Sequence, residues 1–276
     1  MPASETRDEV SQAETLLQTL RVRRITHGFM RWRRCCLLAA PLALLPGLLV
    51  AAEPSPLRLA VAELPPYAMS QSEAGPGSLV EMTQELLRRL DTPVTVEFYP
   101  WQRALTMVKH LPRMLVLPLT RTPEREPQYR WMVRLYRQRF IFVGAHGGVD
   151  VHDPQALAHK RLVVLRGSPH KRALVDAGFL EVSECSTVRE CMRMVKKGIA
   201  DATYGGEDIH RYAATLDGNK ESEYDFSAMF RSGEVWLAGS MDFSEEDGRR
   251  WRAEMEAMRA DGTVARILRK YGASGN

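Results

Sequence analysis

Met114-Leu115-Val116-Leu117-Pro118-Leu119 is an unbroken apolar run that ends in Thr120-Arg121-Thr122-Pro123-Glu124-Arg125. Six apolar residues in succession suit a strand covered on both faces, as a parallel strand between helices is. Upstream, Leu57 to Ala62 alternates and reads as a first strand, stopped by Pro65-Pro66. Ser78, with Glu81 three residues on, reads as a capping box opening a helix striped by Leu79, Met82, Leu86, Leu87 and Leu90. Val94 to Tyr99 is a second strand, and Pro100-Trp101 opens a helix from Gln102 to Lys109. Strand, helix, strand, helix, strand is the order of an α/β sheet.

The pattern repeats downstream. Thr122-Pro123 marks a short helix start. Arg139 to Gly144 is extended. Asp153-Pro154 begins a short helix, and Arg161 to Leu165 is a strand stopped by Gly167-Ser168-Pro169. Helices follow at Lys171–Ala177 and Val188–Lys197. Ala200 to Tyr204 is a strand ended by Gly205-Gly206, and Glu234 to Ala238 is the last strand. Glu245 to Ala260 is an amphipathic helix with Trp251, Met255 and Met258 on one face. Gly262-Thr263 breaks it before a final helix to Tyr271.

The N-terminal stretch reads differently. Arg31, Arg33 and Arg34 precede Cys35 to Val50, a run without a charge that ends in Ala51-Ala52. Basic segment, short apolar segment and small exit residues are the parts of a cleavable signal peptide, with cleavage near Ala52. The run is short for a membrane span and is interrupted by Pro41, Pro46 and Gly47. Cys35 and Cys36 precede the apolar core, which argues against lipidation. Met30 is the expected start, residues 1–29 being a mis-called extension, with an unusually long n-region as the alternative, and the periplasm is the expected location. Residues 1–52 carry seven Arg and four acids of the chain's 38 basic and 34 acidic residues, leaving 31 against 30. That balance gives no support to a nucleic-acid surface.

Two cysteines follow the leader, Cys185 and Cys191. An even pair in an exported chain points to a disulfide, two buried thiols being the alternative. With no second pair and no adjacent His, no metal site is expected. His110, His146, His152, His159, His170 and His210 show no ligand spacing and read mostly as surface residues. The sequence has no nucleophile elbow, zinc-protease, phosphate-loop or dinucleotide motif, so no catalytic residue and no cofactor is expected. Glu207-Asp208-His210 is a weak acid–base candidate.

In an open α/β sheet, ligands sit at the carboxyl ends of the strands. Glu63, Tyr67, Trp101, Thr120, Arg125, Ser168 and Glu207 occupy such ends. Tyr67 and Trp101 offer stacking surfaces, and Arg125 offers a bidentate clamp for a carboxylate. Thr122-Pro123 and Ser168-Pro169 look like helix N-termini, which favour anions.

Six segments in order carry a resemblance: Leu57–Val61 with Pro65-Pro66-Tyr67, Tyr99-Pro100-Trp101-Gln102-Arg103-Ala104, Leu119 to Glu126, Val163 to Ser168, Gly198-Ile199-Ala200-Asp201-Ala202, and Met258 to Thr263 through Ile267 to Gly272. They resemble the bacterial extracellular solute-binding proteins of family 3, which deliver amino acids and similar solutes to transporters. The resemblance spans nearly all of residues 56–272. It implies the two-lobed periplasmic binding protein fold of type II: residues 53–140 with 239–276 as lobe 1, and 141–238 as lobe 2. Crossing segments are implied near Phe140–Gly144 and Phe230–Ala238, with a ligand cleft between the lobes. It further implies that Arg125 holds a ligand carboxylate, assisted by Thr120 and Ser168. The implied partners are a small-molecule ligand and the membrane permease of an ABC transporter, or a sensor receptor, with the protein a monomer. An enzyme of the dehydratase kind on the same fold is the rival, and Glu63 facing Glu207 would favour it. In amino-acid binders an acidic residue after the Asp201 strand holds the α-amine. Here Gly205 or Gly206 stands in that place, with Glu207 beside it.

Overall fold

The computed structural model describes residues 56–273. The leader, its cleavage near Ala52 and the start at Met30 lie outside the described residues. Among the described residues nine strands form one sheet: β1 Leu57–Val61, β2 Val94–Phe98, β3 Met114–Thr120, β4 Arg130–Ala145, β5 Arg161–Leu165, β6 Glu181–Cys185, β7 Ala202–Gly206, β8 Tyr224–Phe226 and β9 Arg231–Gly239. The order is β2-β1-β3-β9-β4-β7-β5-β6, with β8 paired to β4. Strands β1, β2 and β3 are mutually parallel, as are β5, β6 and β7. The long strands β4 and β9 run antiparallel between these groups. The sequence expectation of an α/β fold holds.

Strand β4 is the largest departure from the sequence reading, which placed only Arg139–Gly144 in it. It covers sixteen residues, pairing with β9 as far as Phe140 and with β7 from Phe140 onward. Register shifts at Trp131/Val133 and Arg134/Tyr136 break its alternation, which hid the strand from a period-two reading. Carbonyls at those shifts find partners on a helix: Arg252 donates to Trp131 O and Met132 O, and Arg259 donates to Arg134 O and Leu135 O. The expected crossing segments Phe140–Gly144 and Phe230–Ala238 fall within or against β4 and β9.

The helices are α1 Ser78–Arg89, α2 Trp101–His110, α3 Pro154–Leu157, α4 His170–Val175, α5 Val188–Lys196, α6 Glu207–Ala214, α7 Glu245–Ala260 and α8 Thr263–Lys270. Helix α1 buries the expected stripe of Leu79, Met82, Leu86 and Leu87. Its cap differs from expectation. Gly77 precedes the helix at φ +97°, and the Ser78 hydroxyl is buried without a partner. A Cβ on Gly77 would lie 2.5 Å from Tyr67 O, so the chain passes too close there for any side chain. Glu81 instead accepts from Lys270 and from Tyr271, tying α1 to α8. A capping box does form on α7, between Ser244 and Asp247, and Trp251, Met255 and Met258 are buried as expected.

The core divides. A large cluster gathers β1, β3, the first part of β4 and helices α1, α2, α7 and α8, and extends onto α5 and α6. Two smaller clusters serve β5, β6 and β7. One is aromatic, with Phe140, Phe142, Phe179 and Tyr204. The other joins Val163, Val195 and Ala200 to Cys185 and Cys191, which form a disulfide with a Cα–Cα distance of 5.6 Å. The bond fastens the end of β6 to α5. No helix among the described residues is long and apolar enough to cross a membrane.

Candidate functional site

The carboxyl ends of the parallel strands in the two groups face one another. Four adjoining cavities lie along this line, and the sequence-predicted residues are shared among them.

One, of about 550 Å³, is lined by Glu63 and Leu64 after β1, Phe98 to Trp101 after β2, Leu165 at the end of β5, and Ser186 to Val188 at the start of α5. Its wall is chiefly hydrocarbon and aromatic. Trp101 is 8 % exposed. Glu63 is exposed and accepts from the Ser70 amide at 2.9 Å.

A central cavity of about 50 Å³ shares Leu64, Leu165 and Val188 with the first. Thr120, Ser168, His170, Gly205, Gly206, His210 and Gln138 also line it. The Ser168 hydroxyl donates to Leu165 O at 2.6 Å, closing its own loop, and accepts from the His170 amide at 3.4 Å.

Arg125 stands at the edge of this cavity, on a 3₁₀ turn, Pro123–Gln128. The turn replaces the α-helix start expected at Thr122, and Thr122 makes no side-chain cap. Nη1 of Arg125 donates to Thr120 O at 2.9 Å, and Nη2 donates to Gly167 O at 2.7 Å. One guanidinium thus spans from the end of β3 to the loop after β5. Among the described residues it forms no salt bridge, Glu124 acting on it only through a longer-range attraction. Burial pulls its pKa down, yet a guanidinium keeps its charge in proteins. The third cavity, about 550 Å³, is the one that Arg125 itself lines, together with Lys109, Glu124, Arg172, Asp176 and Arg231.

Gly167 makes the approach possible. Its φ is +78°, and a Cβ would lie 2.5 Å from Gln102 Nε2 and 3.3 Å from Trp101 Cδ1. The Tyr-Pro-Trp-Gln segment and the Gly-Ser loop therefore touch across the cleft, a contact that neither segment announces alone.

The fourth cavity, about 250 Å³, holds Tyr67, Tyr136, Gln138, Glu207 and Asp208. Tyr67 is 1 % exposed and donates to Asp208 Oδ2 at 2.6 Å. Burial, with Tyr136 and Asp208, raises its pKa well above the usual value, so it stays a donor. Glu207 is occupied by Arg139 at 3.2 Å and Arg211 at 3.1 Å. Glu63 and Glu207 thus line different cavities rather than facing each other.

Two readings of histidine are corrected. His170 and His210 are buried, 9 % and 2 % exposed, not surface residues. Burial pushes His170 down to about 3, with His210 and Arg125 adding to the effect, and pushes His210 down to about 4. Both are neutral at pH 7. His210 Nδ1 lies 2.8 Å from Gly206 O, which can only accept, so Nδ1 carries the proton. Nε2 then accepts from Thr203 Oγ1 at 3.3 Å. The sequence cluster Glu207-Asp208-His210 is dispersed: Glu207 goes to arginines, Asp208 to Tyr67, and His210 turns back over β7. The sequence reading also passed over Gln138, whose Nε2 is buried without a partner. Its strand was unrecognised there, so nothing in the pattern marked it.

No protein-family model matches the sequence, and no curated protein sequence is significantly similar to it. Solved structures do match. An ancestral arginine-binding protein bound to arginine aligns with a TM-score of 0.68 at 19 % identity, over 78 % of this chain and 97 % of that one. The arginine-, lysine-, histidine-binding protein ArtJ from the thermophilic bacterium Geobacillus stearothermophilus gives 0.71 at 11 % identity, over 80 % and 96 %. A histidine kinase sensor domain with similarity to periplasmic binding proteins gives 0.71 at 13 %, over 79 % and 96 %. The chain has the periplasmic binding protein fold. The fold that the resemblance in the sequence implies is therefore present. At these identities the likeness is one of fold, and the ligands in those names belong to those proteins. Among the described residues no cluster of metal ligands occurs.

Proposed function

We propose that this chain is an exported, monomeric solute-binding protein that captures a small carboxylate-bearing solute in the cleft and presents it to the permease of an ABC transporter. The observation that carries the reading is Arg125: a half-buried guanidinium that forms no salt bridge among the described residues, placed where both groups of strand ends converge. A desolvated cation without a counter-ion is a receptor for an anion. Thr120 and Ser168 flank it, and Trp101 walls the adjoining apolar space. Residues 53–140 with 239–276 form one lobe in this reading and residues 141–238 the other. The Arg125 bonds to Thr120 and Gly167 draw the two together, and a ligand that contacts both lobes favours this closed arrangement. A membrane receptor is the alternative recipient, the role suggested by the likeness to a kinase sensor domain. The separate placement of Glu63 and Glu207 removes the feature that would have favoured an enzyme.

Thermal unfolding in the presence of amino acids, polyamines, opines and organic acids tests the reading. A ligand at a hundredfold excess over its Kd stabilises by about 2.7 kcal/mol. Arg125→Ala is expected to abolish the shift, while Arg125→Lys retains part of it. Full binding by Arg125→Ala would remove Arg125 from the site. Uptake of the identified solute by cells with and without this protein separates delivery to a permease from delivery to a receptor.

A further inference from the structure

The central cavity has a donor with nothing to receive it and no carboxylate to receive an ammonium. Gln138 is 8 % exposed, lines this cavity, and its Nε2 has no acceptor. A buried amide donor left unpaired costs about 1–3 kcal/mol. Native structures seldom leave one unless a ligand or water completes it. The same amide lies over Gly206, where a Cβ would come within 1.9 Å of Nε2. A Cβ on Gly205 would lie 2.5 Å from His210 Cε1. The two glycines therefore cannot be exchanged for an acidic residue while Gln138 and His210 stay in place. Glu207 and Asp208 share the neighbouring cavity with Gln138, but Glu207 pairs with Arg139 and Arg211, Asp208 accepts from Tyr67, and Glu63 accepts from the Ser70 amide. His210 presents no free acceptor, its Nδ1 proton being given to Gly206 O and its Nε2 lone pair taken by Thr203. In the central cavity an ammonium would find no carboxylate in the lining and would sit close to the Arg125 guanidinium, and burying it so is strongly unfavourable.

We infer that the site selects an acid bearing an oxygen at C2, a 2-oxo or 2-hydroxy acid, in place of the ammonium of an amino acid, with Gln138 Nε2 donating to that oxygen. This rests on the carboxylate reading of Arg125. The rest of the solute is apolar in this inference, because the adjoining cavity that shares Leu64, Leu165 and Val188 with the central one is walled chiefly by these residues with Phe98 and Trp101. The side chain then occupies that space and contributes through apolar burial.

Matched series of one carbon skeleton isolate the group at C2. Calorimetric titration of the full chain with phenylpyruvate, 3-phenyllactate and L-phenylalanine is the experiment, repeated with 4-methyl-2-oxopentanoate and L-leucine. The oxygen-bearing acids are expected to bind at least about tenfold more tightly than the amino acid of the same skeleton. Gln138→Met keeps the volume without the donor and should bring the series within about threefold. Gln138→Glu supplies the missing carboxylate and should shift preference toward the amino acid. Equal or tighter binding of the amino acid by the unaltered protein, lost in Arg125→Ala, would overturn this inference while leaving the carboxylate reading intact. An unchanged preference in a folded Gln138→Met protein would also overturn it. Binding of no member of either series would overturn both.

Discussion

The strands β1, β2 and β3 and the strands β5, β6 and β7 are parallel sets of equal number, yet they are stabilised differently. The first set packs on a broad hydrocarbon core: Leu59, Leu79, Leu86, Met114 and Leu115 are fully buried, and α1, α7 and α8 stack upon one another outside it. The second set has two thin cores, one on each side. One side is bound by aromatic contacts, with Phe142 4.7 Å from Tyr204 and His170 4.8 Å from Phe140. The other is fastened by the disulfide. A small core leaves less apolar area to bury, so a cross-link and neutral imidazoles supply part of what packing supplies in the first set. The same elements border the site. The disulfide encloses Ser186, Thr187 and Val188, which line the apolar cavity, and His170 and His210 line the central one.

The comparison is open to test. The largest effect is expected in the first set, where Leu59→Ala should cost about 3 kcal/mol in urea unfolding, since a cavity there has no flexible neighbour to fill it. A cost below about 1 kcal/mol would show that the core is less tightly packed than its burial suggests. The double variant Cys185→Ser/Cys191→Ser should cost about 2 kcal/mol on the chain-entropy estimate for so short a loop. Hydrogen exchange should place the loss in β5, β6 and α5. Equal loss across β1 to β3 would mean that the two sets unfold as one unit.

Acid should weaken the second set first. The folded pKa values of His170 and His210, about 3 and about 4, lie below the ordinary 6.5. Between those values the unfolded chain binds more protons, so stability falls as pH is lowered through 6.5 and keeps falling until the folded state protonates. The expected slope is about 1 kcal/mol per pH unit for each histidine. His210→Asn should remove one share of it between pH 7 and pH 5, and an unchanged slope would show that His210 is protonated in the fold. The smallest effect belongs to Thr187, which caps α5 by accepting from the Glu190 amide at 3.0 Å. Thr187→Ala should cost about 1 kcal/mol, and a loss of binding at unchanged stability would instead give Thr187 a direct contact with the ligand.

Much of this was legible in the chain. Strong periodicity gave α7 with Trp251, Met255 and Met258 buried, and the apolar run Met114–Leu119 gave the buried strand β3. The cysteine pair gave the disulfide. Less was legible where alternation broke. The bulged start of β4 hid Gln138, and β6, Glu181–Cys185, was missed because its Glu-Val-Ser-Glu pattern carries a single large apolar residue. The capping box at Ser78 matched the motif, but the close passage past Tyr67 required glycine one position earlier.

The sequence by itself determined that the fold is α/β, close to where β1, β2, β3, β5 and β7 end, and hence which loops can meet a ligand. Local periodicity and turn chemistry suffice for that, because they act over a few residues. Only the tertiary structure decided what those loops do on meeting: that Arg125 reaches Gly167, 42 positions away, that Tyr67 finds Asp208, 141 positions away, and that Glu63 and Glu207 remain apart. Such pairings depend on how far the chain folds back upon itself, and on which buried charges are left without a partner. Neither is carried by the residues on either side.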